Sequence, residues 1–169
     1  MNWTAPRAIS LVGLAGALLL ALLGLGGCSG DPGSGPLPPR WDRSTCERCR
    51  MMLSDRQHGA QVRIKAANGT SQVLFFDDLG CALIWLEAKP APDRDGAEIW
   101  VTDWRSGDWI DARTAHYASN QVTPMGYGLG AQREDGAGLL DFPQAKAHVF
   151  AVEHRHNLGG PSGAPALAP

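Results

Sequence analysis

The chain has 169 residues, 44% apolar and 19% charged, with 15 basic against 17 acidic side chains and a formal net charge of −2. That is enough for one domain with a core of its own, and the mild acidity leaves no basic footprint for nucleic acid. Giant assemblies, coiled coils and multi-pass membrane proteins are excluded, while 21 Gly and 12 Pro point to irregular stretches near the ends.

The N-terminus sets Arg7 before an apolar run from Ala8 to Leu25 that closes on Leu25-Gly26-Gly27-Cys28. A basic flank, an apolar segment and small residues before a cysteine make a secretory signal of the lipobox type, so residues 1–27 are expected to be removed. Arg7 is the only charge in that segment. The resemblance to bacterial lipoproteins implies that Cys28 becomes the lipidated mature N-terminus, carrying diacylglycerol and an amide-linked acyl chain such as palmitate, enough hydrocarbon for stable anchoring. Ser29 follows it instead of Asp, which in that sorting logic implies the outer membrane, facing the periplasm. A transmembrane anchor is the competing reading, since about 18 apolar residues just span a bilayer. The many small residues and the lack of a basic stop-transfer cluster speak against it. Residues 28–40, rich in Gly, Pro and Ser, read as a flexible tether.

The patterned part runs over residues 41–156. Gln61 to Ala66 alternates with period two, Asn68-Gly69 is a hairpin turn, and Val73-Leu74-Phe75-Phe76 is a more buried strand. Asp77 can cap a helix carrying Leu79, Ala82, Leu83 and Leu86, which ends before Pro90. The same order then returns: a strand over Glu98 to Trp104, a turn at Ser106-Gly107, a strand from Trp109 and a shorter helix over Asp111 to Ala118. Val122 to Gly130 reads as a Gly-rich loop or strand, and Phe142 to His154 as a last element. The expected fold is an α+β domain built from two ββα-like units. Residues 157–169 read as a disordered tail.

The chemically unusual stretch is Cys46-Glu47-Arg48-Cys49-Arg50-Met51-Met52, two thiols and two thioethers in one short turn. Thiolate and thioether sulfurs select Cu(I) over hard cations. The chain has only 4 Met; apart from the initiator and this cluster there is Met125, in Thr123-Pro124-Met125-Gly126-Tyr127-Gly128, a setting unlike that of a core-filling methionine. Two other readings stand beside copper. Cys46 and Cys49 have the spacing of a disulfide or a thiol redox pair, although the motif precedes the first strand instead of following one. Structural zinc wants four ligands, and no second paired motif exists. Met52 beside Leu53 reads as packing. Cys81 reads as a small buried hydrophobe, His116 as solvated or core-satisfied, and His154 and His156 as the start of the tail.

With these features together the sequence resembles the NosL family, lipoprotein copper chaperones associated with nitrous oxide reductase maturation. The lipobox cysteine, Cys46, Cys49 and Met51, the run Phe75-Phe76-Asp77-Asp78, Val101-Thr102-Asp103, Trp109-Ile110-Asp111-Ala112 and the Met125 loop carry the likeness. The resemblance implies a monomeric, non-enzymatic periplasmic protein of duplicated ββα architecture that binds one Cu(I) through Cys49, Met51 and Met125, with Cys46 auxiliary. It also implies that copper passes to apo nitrous oxide reductase, together with its membrane ABC-transporter complex, in denitrification. Arg50 stands where the family typically has Gly, so the backbone conformation there is left open, since Gly would allow a positive φ that Arg adopts only at some cost, and Arg50 sets a cation near the thiol. The alternatives are delivery to another periplasmic cuproprotein and, in the enzyme class, a thiol-disulfide reductase acting through Cys46 and Cys49.

Overall fold

The structure is a computed structural model that describes residues 31–65 and 69–159. The expected signal peptide, Cys28, Asn68 and residues 160–169 lie outside the described residues. Among the described residues no helix is long and apolar enough to cross a membrane.

Strands β1 (Ala60–Lys65) and β2 (Ser71–Phe76) form the expected hairpin, followed by helix α1 (Leu79–Glu87). A short helix α2 (Ala91–Asp95) leads to β3 (Glu98–Thr102) and β4 (Trp109–Asp111). Then come β5 (His116–Ala118), β6 (Gly130–Gln132) and a long helix α3 (Phe142–Gly159). The main sheet is antiparallel in the order β2-β1-β3-β4, and β5 and β6 make a separate two-stranded sheet. The domain is therefore α+β.

Alternation along β1 decides what each face of the sheet meets. Ala60 and Val62 face the core, registered against Phe76 and Leu74 on one side and Val101 and Ile99 on the other. Leu79, Leu83 and Leu86 of α1 and Ala145, Val149 and Val152 of α3 belong to the same core. Gln61 and Arg63 point the opposite way, yet each is only 1% exposed. The cover is the segment expected to be free tether. Leu37 donates its N–H to Gln61 Oε1 at 2.9 Å and accepts from Gln61 Nε2 at 3.1 Å. Gly35 donates to Glu98 Oε2 at 2.8 Å and its carbonyl accepts from Arg63 Nε at 3.0 Å. Residues 35–37 of the expected 28–40 tether are thus held on the sheet, because an extended backbone satisfies polar side chains that alternation turned outward.

The second half departs from a ββα repeat. The helix expected over residues 111–118 is a single turn, closed by Arg113 N–H on Asp111 Oδ1 at 2.7 Å and Ala115 N–H on Asp111 O at 3.0 Å, followed by β5. Tyr117 then exchanges both backbone hydrogen bonds with Leu140 at 2.9 Å. Long-range pairing of a buried tyrosine outweighs the weak local helical spacing of two alanines. The last helix is longer than expected and takes in Asn157–Gly159, the beginning of the expected tail, so His154 and His156 are helical. It starts on a reciprocal cap, Asp141 Oδ1 accepting from Gln144 N–H at 2.8 Å and Gln144 Oε1 from Asp141 N–H at 3.0 Å, with Pro143 in the first turn.

Candidate metal centre

The cysteine loop is a tight knuckle. Ser44 and Leu53 bracket it through Leu53 N–H on Ser44 O at 2.9 Å, and Cys46 N–H donates to Met51 O at 2.8 Å. Arg50 N–H returns to Cys46 O at 3.0 Å, and Arg50 itself sits at φ 65°, the left-handed conformation that glycine takes freely. Glu47 N–H donates to Phe75 O at 2.8 Å, which fastens the knuckle to the end of β2.

That attachment brings two further residues to the thiols. Asp77 follows β2 directly, and Cys81 lies in the first turn of α1, whose N-cap is Asp78 and not the expected Asp77. Asp78 Oδ1 accepts from Gly80 N–H at 2.9 Å, the geometry of a helix cap, which leaves the Asp77 carboxylate for the cysteines. One ligand atom from each of Cys46, Cys49, Asp77 and Cys81 lies within 4.8 Å of all the others. Cys46 and Cys81 are 0% exposed and Asp77 3%, so the half-buried Cys49 is the open side of the group. Cys49 Sγ is 3.1 Å from Asp77 Oδ2, while the buried Asp77 Oδ1 has no hydrogen-bond partner.

The electrostatics split the thiols. The Cys81 thiol donates to Cys46, and against the cost of burial the backbone N–H groups of Cys49 and Asp77 add to it, so the Cys46 pKa falls to about 6. Burial pushes Cys49 up to about 12, against the Met51 N–H; the Asp77 carboxylate and the Cys46 sulfur, which take its proton as hydrogen-bond acceptors, add to the rise. The Cys81 thiol is held protonated by its bond to Cys46 and by burial. Without metal the group is thus one buried thiolate with two thiols around it.

Arg48, between the two cysteines in sequence, reaches outward from the knuckle. Its Nη1 is 3.0 Å from Tyr127 Oη and 3.9 Å from Cys81 Sγ, and its Nη2 is 2.6 Å from Glu153 Oε1 on α3. Tyr127 belongs to the Met125 loop, and its ring lies so close over Gly80 that a Cβ there would come within 2.2 Å of it. The loop therefore covers the start of α1, with Met125 N–H 3.4 Å from Asp78 Oδ2 and Met125 half-buried. Met51 and Met52, beyond the knuckle, are 46% and 54% exposed.

The structure thus joins Cys46 and Cys49, as their spacing suggested, and sets the Met125 loop over the helix that carries Cys81. Asp77 and Cys81 are the functional candidates that sequence reasoning assigned to other duties. Cys81 is buried, as expected, but among sulfur and carboxylate donors. The only cue was their spacing of four residues across a strand-to-helix junction. The histidines stand elsewhere: His116 pairs with Asp135 at 3.4 Å, and the His156 ring lies 5.9 Å from that of Tyr127.

A family model described as NosL matches residues 40–155. No curated protein matches the chain. Among solved structures, the crystal structure of the copper chaperone NosL from Shewanella denitrificans shares 17% identity over 71% of this chain and 88% of that one, with a TM-score of 0.46.

Proposed function

Because the chain belongs to the NosL family, we propose that it is a lipid-anchored Cu(I) chaperone that faces the periplasm and delivers copper for maturation of nitrous oxide reductase. The observation that carries this reading is the convergence of three cysteine sulfurs, two from the knuckle and one from α1, at a group whose open side is Cys49. Soft sulfur donors suit Cu(I). Copper is cargo here. It arrives at the half-buried Cys49, takes the thioethers of Met51 and Met125 as further ligands, and has the buried Cys46 thiolate behind it. An incoming soft ligand from the acceptor then replaces these donors one at a time, so no substrate is turned over. The acceptor is apo nitrous oxide reductase with its membrane transporter complex. Acylation at Cys28 holds the monomer at the outer membrane.

The thiol-disulfide reductase reading is weaker on the same geometry. A redox nucleophile must be an exposed thiolate, whereas the low-pKa Cys46 is wholly buried and the accessible Cys49 is held as a thiol. Anaerobic Cu(I) titration of the full chain against a chromophoric chelator, beside Cys49→Ser and Met125→Ala, tests the proposal. One tight site weakened by both changes supports it. Absence of a tight site, or one indifferent to Met125, overturns the ligand set and returns the redox reading to the front. Transfer to apo nitrous oxide reductase, compared with transfer to an unrelated apo-cuproprotein, tests the client.

A further inference from the structure

We propose that the cavity between the last turn of α1, α2, β3 and the first turn of α3 binds a single-chain anionic amphiphile, an alkyl chain with a carboxylate or phosphate head. The cavity measures about 460 Å³, within the roughly 300–1,000 Å³ usual for small-molecule sites. It opens where α1 stops. Pro90 has no N–H with which to continue a helix, so the chain turns after Glu87 and Lys89 N–H returns to Leu86 O at 3.0 Å. The space past Leu86 is then bounded by α2, by Ile99 of β3 and by Phe142 and Lys146 of α3. It is separate from the cysteine group, since Leu86 stands well beyond Cys81 on α1, by about 7.5 Å of helix rise.

The floor is apolar for reasons visible in the chain. Leu83 and Leu86 are neighbours on the inner face of α1, and Ile99 shares the core face of the sheet with Val62, its partner in register. All three are buried, and Phe142 is half-buried against the same core. Glu87, Asp95, Arg113 and Lys146, all exposed, form the rim. An apolar floor below a charged rim admits a slender chain and excludes a flat protein surface.

Charge selects the head. The lining carries three cations, Arg94, Arg113 and Lys146, against two carboxylates, Glu87 and Asp95. Glu87 is already engaged on both oxygens, one accepting from Arg94 at 3.0 Å and the other from Lys146 at 3.1 Å. Arg113 is differently placed. Its Nη1 donates to Ala97 O at 2.9 Å, which fixes the guanidinium without neutralising it, and among the described residues no carboxylate pairs with it. Its remaining N–H groups offer the planar fork that takes a carboxylate or phosphate in two parallel hydrogen bonds. An alkyl chain on Leu83, Leu86, Ile99 and Phe142 with its head at Arg113 therefore satisfies both halves of the site.

Copper plays no part in this site, so the test uses the full chain without metal, and octanoate below its micellar concentration as the probe. Expected is saturable binding of one equivalent, with NMR shifts centred on the Leu83, Leu86 and Ile99 methyl groups and the Phe142 ring. Octanol and octylammonium, the same chain with a neutral or a cationic head, are expected to bind at least about tenfold more weakly, the scale of one hydrogen bond between charged groups. Arg113→Gln is expected to cost octanoate about the same factor, and Arg105→Gln, at an exposed arginine outside the cavity, nothing. Octyl phosphate beside octanoate separates a phosphate-headed from a carboxylate-headed ligand, and saturable binding of either supports the site. Absence of saturable binding, shifts centred elsewhere, or equal binding of octanol or octylammonium overturns it, as does indifference to Arg113→Gln.

Discussion

Arg48 Nη2 and Glu153 Oε1 meet at 2.6 Å, so the residue between the two knuckle cysteines is an anchor to the last helix, 105 positions along the chain. Both side chains are largely buried, at 26% and 18% exposure, and Tyr127 donates its hydroxyl to the same carboxylate. Arg48→Met is expected to lower stability by about 1.5–3 kcal/mol, the usual range for a hydrogen bond to a charged group. Urea unfolding measures this. The double variant with Glu153→Gln should lose less than the two single losses added together, because the partners share one interaction.

Arg50 at φ 65° carries a conformation that glycine adopts freely and other residues at some cost. Its side chain gives little back, since its ion pair to Glu47 at 3.1 Å is exposed. Arg50→Gly is expected to raise stability by up to about 1 kcal/mol, while Arg50→Val, β-branched, should lower it by about 1 kcal/mol or more. Opposite shifts in the urea midpoint check the pair, and equal shifts would mean that the knuckle backbone relaxes away from this φ.

Gly80→Ala pits two effects against each other. Alanine in a helix is favoured by about 1 kcal/mol over glycine, but its Cβ would lie 2.2 Å from the Tyr127 ring. Overpacking of about 1–3 kcal/mol is expected to win. The ring then has to move, and the Met125 loop with it, so Cu(I) affinity should fall together with the melting temperature. Tyr127→Ala in the same chain should recover part of the stability lost by Gly80→Ala. If it recovers none, the cost does not come from this contact.

These positions mark how far the sequence can be read. The strand-strand-helix of the first half was legible because alternation, an Asn-Gly turn and helical spacing agree there, whereas Arg50's φ was left open by the replacement of the usual glycine. The turn and strand over residues 111–118 were not, because Tyr117 is committed by its partner Leu140, which no local pattern announces. For the site, Cys46 and Cys49 were visible as a motif. Asp77 and Cys81 were not, because each has an ordinary local reading, cap or core, and only the Glu47–Phe75 contact that docks the knuckle on β2 gives them another.

Asp103 sets a stability dependence on acid. Burial pushes its carboxyl up, but the backbone N–H groups of Arg105, Arg133 and Ser106, at 2.9, 3.0 and 3.3 Å, together outweigh this and hold its pKa below the ordinary value. A carboxylate depressed by folding stabilises the protein fully above its unfolded pKa of about 3.9, and that contribution is lost as pH falls through the lower folded value. Asp103→Asn should therefore be less stable than the parent at pH 7, with the difference shrinking below about pH 4. Urea midpoints across that range check it, and a constant difference would assign the effect to packing.

Residues 33–40 are part of the folded unit, and their removal should be measurable. Gly35 and Leu37 make four hydrogen bonds to Gln61, Arg63 and Glu98. Without them those side chains turn to water, so the loss is the net worth of each bond, about 0.5–1.5 kcal/mol, and not the larger cost of an orphaned buried group. A chain beginning at Trp41 is expected to be about 2–6 kcal/mol less stable than one beginning at Gly33 on that basis. Gln61→Ala should destabilise the longer chain and leave the shorter one almost unchanged. Equal effects in both would mean that the segment does not hold this face of the sheet in solution.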